Sequence, residues 1–107
     1  MATSRVRFQV LINGRPIAVT GIGDYGVLSA IVSWVRRNPA AISDVDRADP
    51  AFDEQWFLKE RCDLHLGALD TVRQLNHSWA EHTLSPGDEI TIRVLADGEY
   101  ELPNADA

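Results

Sequence analysis

At 107 residues, with 45% hydrophobic and 24% charged residues, the chain has the make-up of one globular domain, which excludes wholesale disorder, and no apolar run approaches the roughly 18 residues of a membrane-spanning helix. A net charge of −6 argues against nucleic acid or an anionic membrane as partner, because affinity for phosphates comes from Lys and Arg. The single cysteine, Cys62, can form no internal disulfide and no thiolate cluster, and with no apolar leader after Met1 the expected compartment is the reducing cytoplasm.

Along residues 5–12, Val6, Phe8, Val10 and Ile12 alternate with Arg5, Arg7, Gln9 and Leu11, the period of a half-buried strand. Asn13-Gly14 then predicts a type I′ hairpin turn, which needs positive φ at both central residues. With Ile12 opposite Arg15, Val10 opposes Ile17 and Phe8 opposes Val19, so the apolar residues of both strands share a face. Gly21-Ile22-Gly23 ends the second strand, and Asp24 is placed to cap a helix over 25–37. In that helix Val27, Leu28, Ile31, Trp34 and Val35 recur at spacings of three and four as an apolar stripe. Arg36 and Arg37 suit its negative end, and Asn38-Pro39 stops it. Residues 40–50 are expected to be an acidic loop. Asp49-Pro50 has the form of an N-cap followed by a first-turn proline, so 50–61 is either a short helix or, starting from Trp56-Phe57-Leu58, a strand.

Cys62, Leu64 and Leu66 alternate with Asp63 and His65, predicting a strand that turns near Leu69-Asp70-Thr71 and returns along 73–79. Ser85-Pro86-Gly87-Asp88 predicts a type II turn, with proline presetting φ and glycine supplying the positive φ. It feeds a final strand with Ile90, Ile92 and Val94 on one face and Thr91 and Arg93 on the other. Residues 97–107 are expected to be a flexible acidic tail, leaving a core of about 5–96.

The order of hairpin, helix, two strands and a last strand entered through Leu84-Ser85-Pro86-Gly87-Asp88-Glu89-Ile90 resembles the β-grasp, or ubiquitin-like, superfamily over most of 5–95. The resemblance implies an α+β domain in which the helix packs across a mixed sheet of about four or five strands. The last strand would be central, parallel to strand 5–12 and beside strand 62–66, with Ile92 buried under Val27, Ile31 and Trp34. It also implies an open sheet face carrying Arg7, Gln9, Leu11, Thr91 and Arg93, which would receive another protein or a second copy. Ubiquitin-like modifiers need a C-terminal Gly-Gly, and β-grasp ferredoxins need four thiolates. The sequence given ends Asn104-Ala105-Asp106-Ala107 and holds one cysteine, so a non-enzymatic interaction module without a cofactor is the expectation.

Three patterns carry possible chemistry. Gly21, Gly23 and Gly26 match G-x-G-x-x-G with Asp46 about 20 residues on, a dinucleotide fingerprint. The preceding hairpin makes the context antiparallel, however, so the glycines are expected to ease a turn. Asp63, His65 and His77 would converge if His77 lies opposite Asp63 or Leu64, giving two imidazoles and a carboxylate fit for zinc or iron; the alternative is a pair of surface histidines. Ser29, Ser33, Ser78 and Ser85 have no nucleophile-elbow context, and no catalytic constellation is identified.

Overall fold

The computed structural model describes residues 2–106. It is 50% strand and 13% helix, arranged in three antiparallel sheets. In chain order the elements are β1 (Thr3–Ser4), β2 (Arg7–Ile12), β3 (Arg15–Thr20), β4 (Gly26–Val35), a 3₁₀ turn at Pro39–Ala41, α1 (Asp44–Ala48), α2 (Glu54–Leu58), β5 (Arg61–Asp70), β6 (Leu75–Thr83), β7 (Ile90–Leu95), β8 (Gly98–Glu99) and β9 (Ala105–Asp106). The sheets run β3-β2-β7, β4-β5-β6-β9 and β1-β8.

The first hairpin forms at the expected turn, with Asn13 at φ 52° and Gly14 at φ 77°. Its register begins as expected, Ile12 opposite Arg15, but slips at Val10/Leu11 so that Val10 opposes Ala18 and Phe8 opposes Thr20. Proline explains the slip. Pro16 brings no N–H to the ladder, and the extra residue, Ile17, is taken up in a bulge. The Ser85-Pro86-Gly87-Asp88 turn also forms: Asp88 N–H donates to the Ser85 carbonyl at 3.0 Å, and Gly87 has φ 97°. The two turns are then tied to each other. Asn13 donates its amide to Asp88 Oδ1 at 3.0 Å and accepts Glu89 N–H at 2.9 Å.

The α+β, β-grasp-like architecture is corrected, because the helix expected over 25–37 is strand β4. Its residues satisfy both periods, but Val27, Ile31, Val32, Trp34 and Val35 are β-branched or aromatic and lose side-chain freedom in a helix. Tertiary pairing decides the ambiguity: all ten residues of β4 pair with β5, from Gly26 opposite Asp70 to Val35 opposite Arg61. With no crossing helix, the last strand is not central or parallel either. β7 is an edge strand, antiparallel to β2 and, among the described residues, paired to no other strand. Ile92, expected to be buried, is 41% exposed.

Of the segment left open between helix and strand, Glu54–Leu58 is helical, capped by Asp53, whose carboxylate accepts the Trp56 N–H. The acidic stretch before it contains α1, capped by Ser43. Beyond Asp97 the chain is held rather than loose: β8 pairs β1, Tyr100 packs against the core, Trp79 Nε1 donates to the Glu101 carbonyl at 2.6 Å, and β9 pairs β6.

The core lies between the inner faces of the two larger sheets. Val10 from one and Leu64 and Leu66 from the other are fully buried, and Ala18, Ala68, Trp79 and Leu84 complete the cluster. Each fully buried Val or Leu contributes about 1.5–3 kcal/mol. This core is small for the chain. The radius of gyration is 17.2 Å, against about 13 Å for a compact domain of this length. Among the described residues no helix is long and apolar enough to cross a membrane.

Candidate functional site

Two features stand out. The first is a cleft of about 520 Å³ where the glycine turn meets the β5–β6 turn, lined among others by Gly21, Asp24, Asp70, Arg73, His77 and Tyr100. Asp70 ends β5 and is almost completely buried. Its Oδ1 accepts the backbone N–H groups of Val72 and Arg73, both at 3.0 Å, and its Oδ2 accepts Arg73 Nη1 at 2.9 Å. The same guanidinium nitrogen reaches Asp24 Oδ2 at 2.9 Å, so Arg73 bridges the two turns. The Thr71 N–H and hydroxyl, each 3.0 Å from the Tyr25 carbonyl, add a second tie. The backbone N–H of Arg73 and then its guanidinium hold the Asp70 carboxyl below the usual carboxylate range, while burial pushes the Tyr100 phenol upward.

The glycines of the turn serve the fold itself. A Cβ on Gly21 would lie 2.6 Å from the Ser4 Cβ and 2.7 Å from the Tyr100 ring, and one on Gly26 would lie 1.9 Å from the Leu69 carbonyl oxygen. The close approach that a pyrophosphate would need is filled by the protein's own chain. With both Asp70 oxygens and Arg73 already engaged, the cleft is a latch between turns.

The histidine positions follow from the β5–β6 register. Asp63 lies opposite Thr83, His65 opposite Glu81 and His77 opposite Ala68, so His77 does not come opposite Asp63 or Leu64. Strand alternation puts His77 and His65 on opposite faces. His65 Nδ1 is 3.2 Å from Glu81 Oε1, and His77 Nε2 is 3.9 Å from Asp70 Oδ2. Among the described residues no group of three or more His, Cys, Asp or Glu is placed to hold a metal ion. The expected register failed because the turn is longer and later than Asp70-Thr71: Asp70 pairs with Leu75, where β6 starts, and the bulge at Trp79 shifts only the partners beyond it.

Arg7, Gln9, Leu11, Thr91 and Arg93 do share one face of the β3-β2-β7 sheet, with Gln9 opposite Arg93 and Leu11 opposite Thr91. Their availability differs. Leu11 is buried, and Arg7 donates to the carbonyls of Ala96 at 2.9 Å and Glu99 at 3.0 Å. Arg93 Nη1 is 3.4 Å from Gln9 Oε1.

The second feature is apolar. Strands β4 and β7 are edges of their sheets, and each carries large hydrophobic side chains that are not covered. On β7 these are Ile92 and Val94, which oppose Val10 and Phe8 and so belong to the core-facing side. On β4, Val32 and Trp34 oppose Leu64 and Cys62, again on the core-facing side, yet Trp34 is 66% exposed. Val27 and Ile31 are exposed on the other face. The alternation that identifies buried faces identifies these residues too, but which strands lie at edges is a matter of topology.

Comparison of the chain with protein-family models, with curated proteins and with solved structures gives no match.

Proposed function

We propose that this protein works by binding another polypeptide chain and not as a catalyst. The observation that carries the reading is the amount of surface left open. A compact protein of 11.9 kDa exposes about 6,000 Å², whereas this chain exposes 7539 Å². The excess is roughly 1,500 Å², about twice what one partner gives to a standard protein–protein interface. The open surface includes the apolar edges β4 and β7, and an uncovered hydrophobic edge pairs readily with an incoming strand. β4 itself carries no charge from Gly26 to Val35, and the Glu60 carboxylate meets it only at the Trp34 end, where it accepts from Nε1 at 3.3 Å.

A photoreactive amino acid at position 34, illuminated in the cells that make the protein, tests this. A discrete adduct is expected, absent when the probe stands at exposed Val45 on α1, and lost when Val32→Glu is added. No adduct at position 34, or equal labelling at both positions, would overturn the reading.

A further inference from the structure

The open edge of β4 has a sequence that suits one occupant in particular. Along Gly26–Val35 the outward face reads Val27, Ser29, Ile31, Ser33, Val35, which is the same in both directions about Ile31. The alternate face is complementary about the same point. Leu28 mirrors Trp34, so a long side chain meets a large one, and Ala30 mirrors Val32, so a small one meets a medium one. An antiparallel pair places residues of like face opposite one another. Self-complementarity about a two-fold axis is what an isologous interface requires.

We propose that β4 docks edge to edge and antiparallel against β4 of a second copy of this chain, about a two-fold axis at Ile31, so that the two four-stranded sheets continue as one. The inference rests on the binding reading above and names its occupant. Three further observations support it. β4 is the terminal strand of its sheet, and among the described residues none pairs with its free side. It has no proline, no charge and no bulge in its pairing with β5, the devices by which edges are normally blunted. The strand also carries Ile31, Val32 and Trp34, 49%, 52% and 66% exposed, apolar side chains that one copy leaves uncovered. In the pair, Trp34 of each chain lies beside Leu28 of the other, and Val32 beside Ala30, covering side chains that one copy leaves in water.

The test is the mass of the purified full chain by light scattering over a range of concentrations, with two variants. Ile31→Lys puts two ammonium groups opposite each other at the axis. In a Cys62→Ala background, Ile31→Cys places two thiols across the axis with Cα atoms about 4.5–5.5 Å apart, within disulfide reach. Expected are twice the chain mass, one chain mass for Ile31→Lys with an unchanged circular dichroism spectrum, and a disulfide-linked pair for Ile31→Cys that Val27→Cys does not form. A wild-type chain of single mass overturns the inference, and so does a dimer that survives Ile31→Lys while Ile31→Cys forms no disulfide-linked pair. In either case a position-34 adduct of another mass would leave the binding reading standing, and the absence of any adduct would remove both.

Discussion

Replacing Gly26 by alanine tests the pairing on which the architecture turns. The added Cβ would sit 1.9 Å from the Leu69 carbonyl oxygen, where a carbon–oxygen contact needs about 3.3 Å. The obstacle is backbone, so no side chain can swing away, and β4 must retreat from β5 by roughly 1 Å or more at its first rung. Close to that rung stand the two donations from Thr71 to the Tyr25 carbonyl and the Arg73–Asp24 ion pair. Losing two or three such bonds, at about 1 kcal/mol each, plus residual strain gives an expected loss of roughly 2–4 kcal/mol. That is a large part of the roughly 5–15 kcal/mol typical of a whole domain. The control is Gly23→Ala, whose Cβ meets only the Tyr100 hydroxyl at 3.7 Å and should change stability by about 0.5 kcal/mol or less. Urea midpoints at one protein concentration compare the two. If Gly26→Ala unfolds at the midpoint of Gly23→Ala, Gly26 does not lie against Leu69 and the β4–β5 register is wrong.

Leu66→Ala, at a fully buried position, should cost about 2–5 kcal/mol, and Ile92→Ala on the exposed edge clearly less when both are measured at equal concentration; the reverse order would put β7 back in the middle of a sheet. Asp70 and Asp88 are both held below the ordinary 3.8, Asp70 first by the Arg73 N–H and Asp88 first by the Ser85 N–H. A depressed carboxyl contributes stability above its unfolded pKa and loses it as pH falls through the folded one, so stability should decline below about pH 4. Asp70→Asn should flatten that acid limb, and an unchanged slope in acid titrations of the urea midpoint would refute the coupling. Because each chain carries −6 while β4 is uncharged, self-association should strengthen as salt screens the long-range repulsion; sedimentation at low and moderate ionic strength would show it, and weakening with salt would contradict it.

What could be read from the residues was local chemistry. Asn13-Gly14 and Pro86-Gly87 dictate their turns because few other residues take the required φ values, and 7–12 and 90–95 are strands as their alternation predicts, although their burial does not alternate. β4 could not be read this way. Val27, Leu28, Ile31, Trp34 and Val35 fit a helical stripe, and the same segment fits a two-sided strand; the choice belongs to β5, a partner distant in the chain. The register at His77 failed for a different reason, since the turn takes up residues 71–74 and Asp70 pairs with Leu75, which sets His77 opposite Ala68. Of the latch, Asp24 reads from the sequence only as a helix cap and Asp70 as part of a turn. Arg73 and Tyr100 carried no local signal, because their role is to join turns distant in sequence.

The two outcomes are connected. A strand that is apolar on both faces is ordinarily protected by neighbours on both sides, and β4 has one neighbour. A lone chain therefore leaves Trp34, Val32 and Ile31 in water while relying on a core of few fully buried side chains. Such a chain gains stability when its edge is covered, by an amount that grows with the logarithm of partner concentration. On the proposed pairing, folding and association are coupled. Its unfolding midpoint should rise as the protein is concentrated, and Ile31→Lys, which blocks the edge without entering the core, should remove that dependence and leave the dilute midpoint nearly unchanged. A wild-type midpoint that stays constant over a range of about a hundredfold in concentration would break the coupling and show that the single chain is stable with β4 exposed.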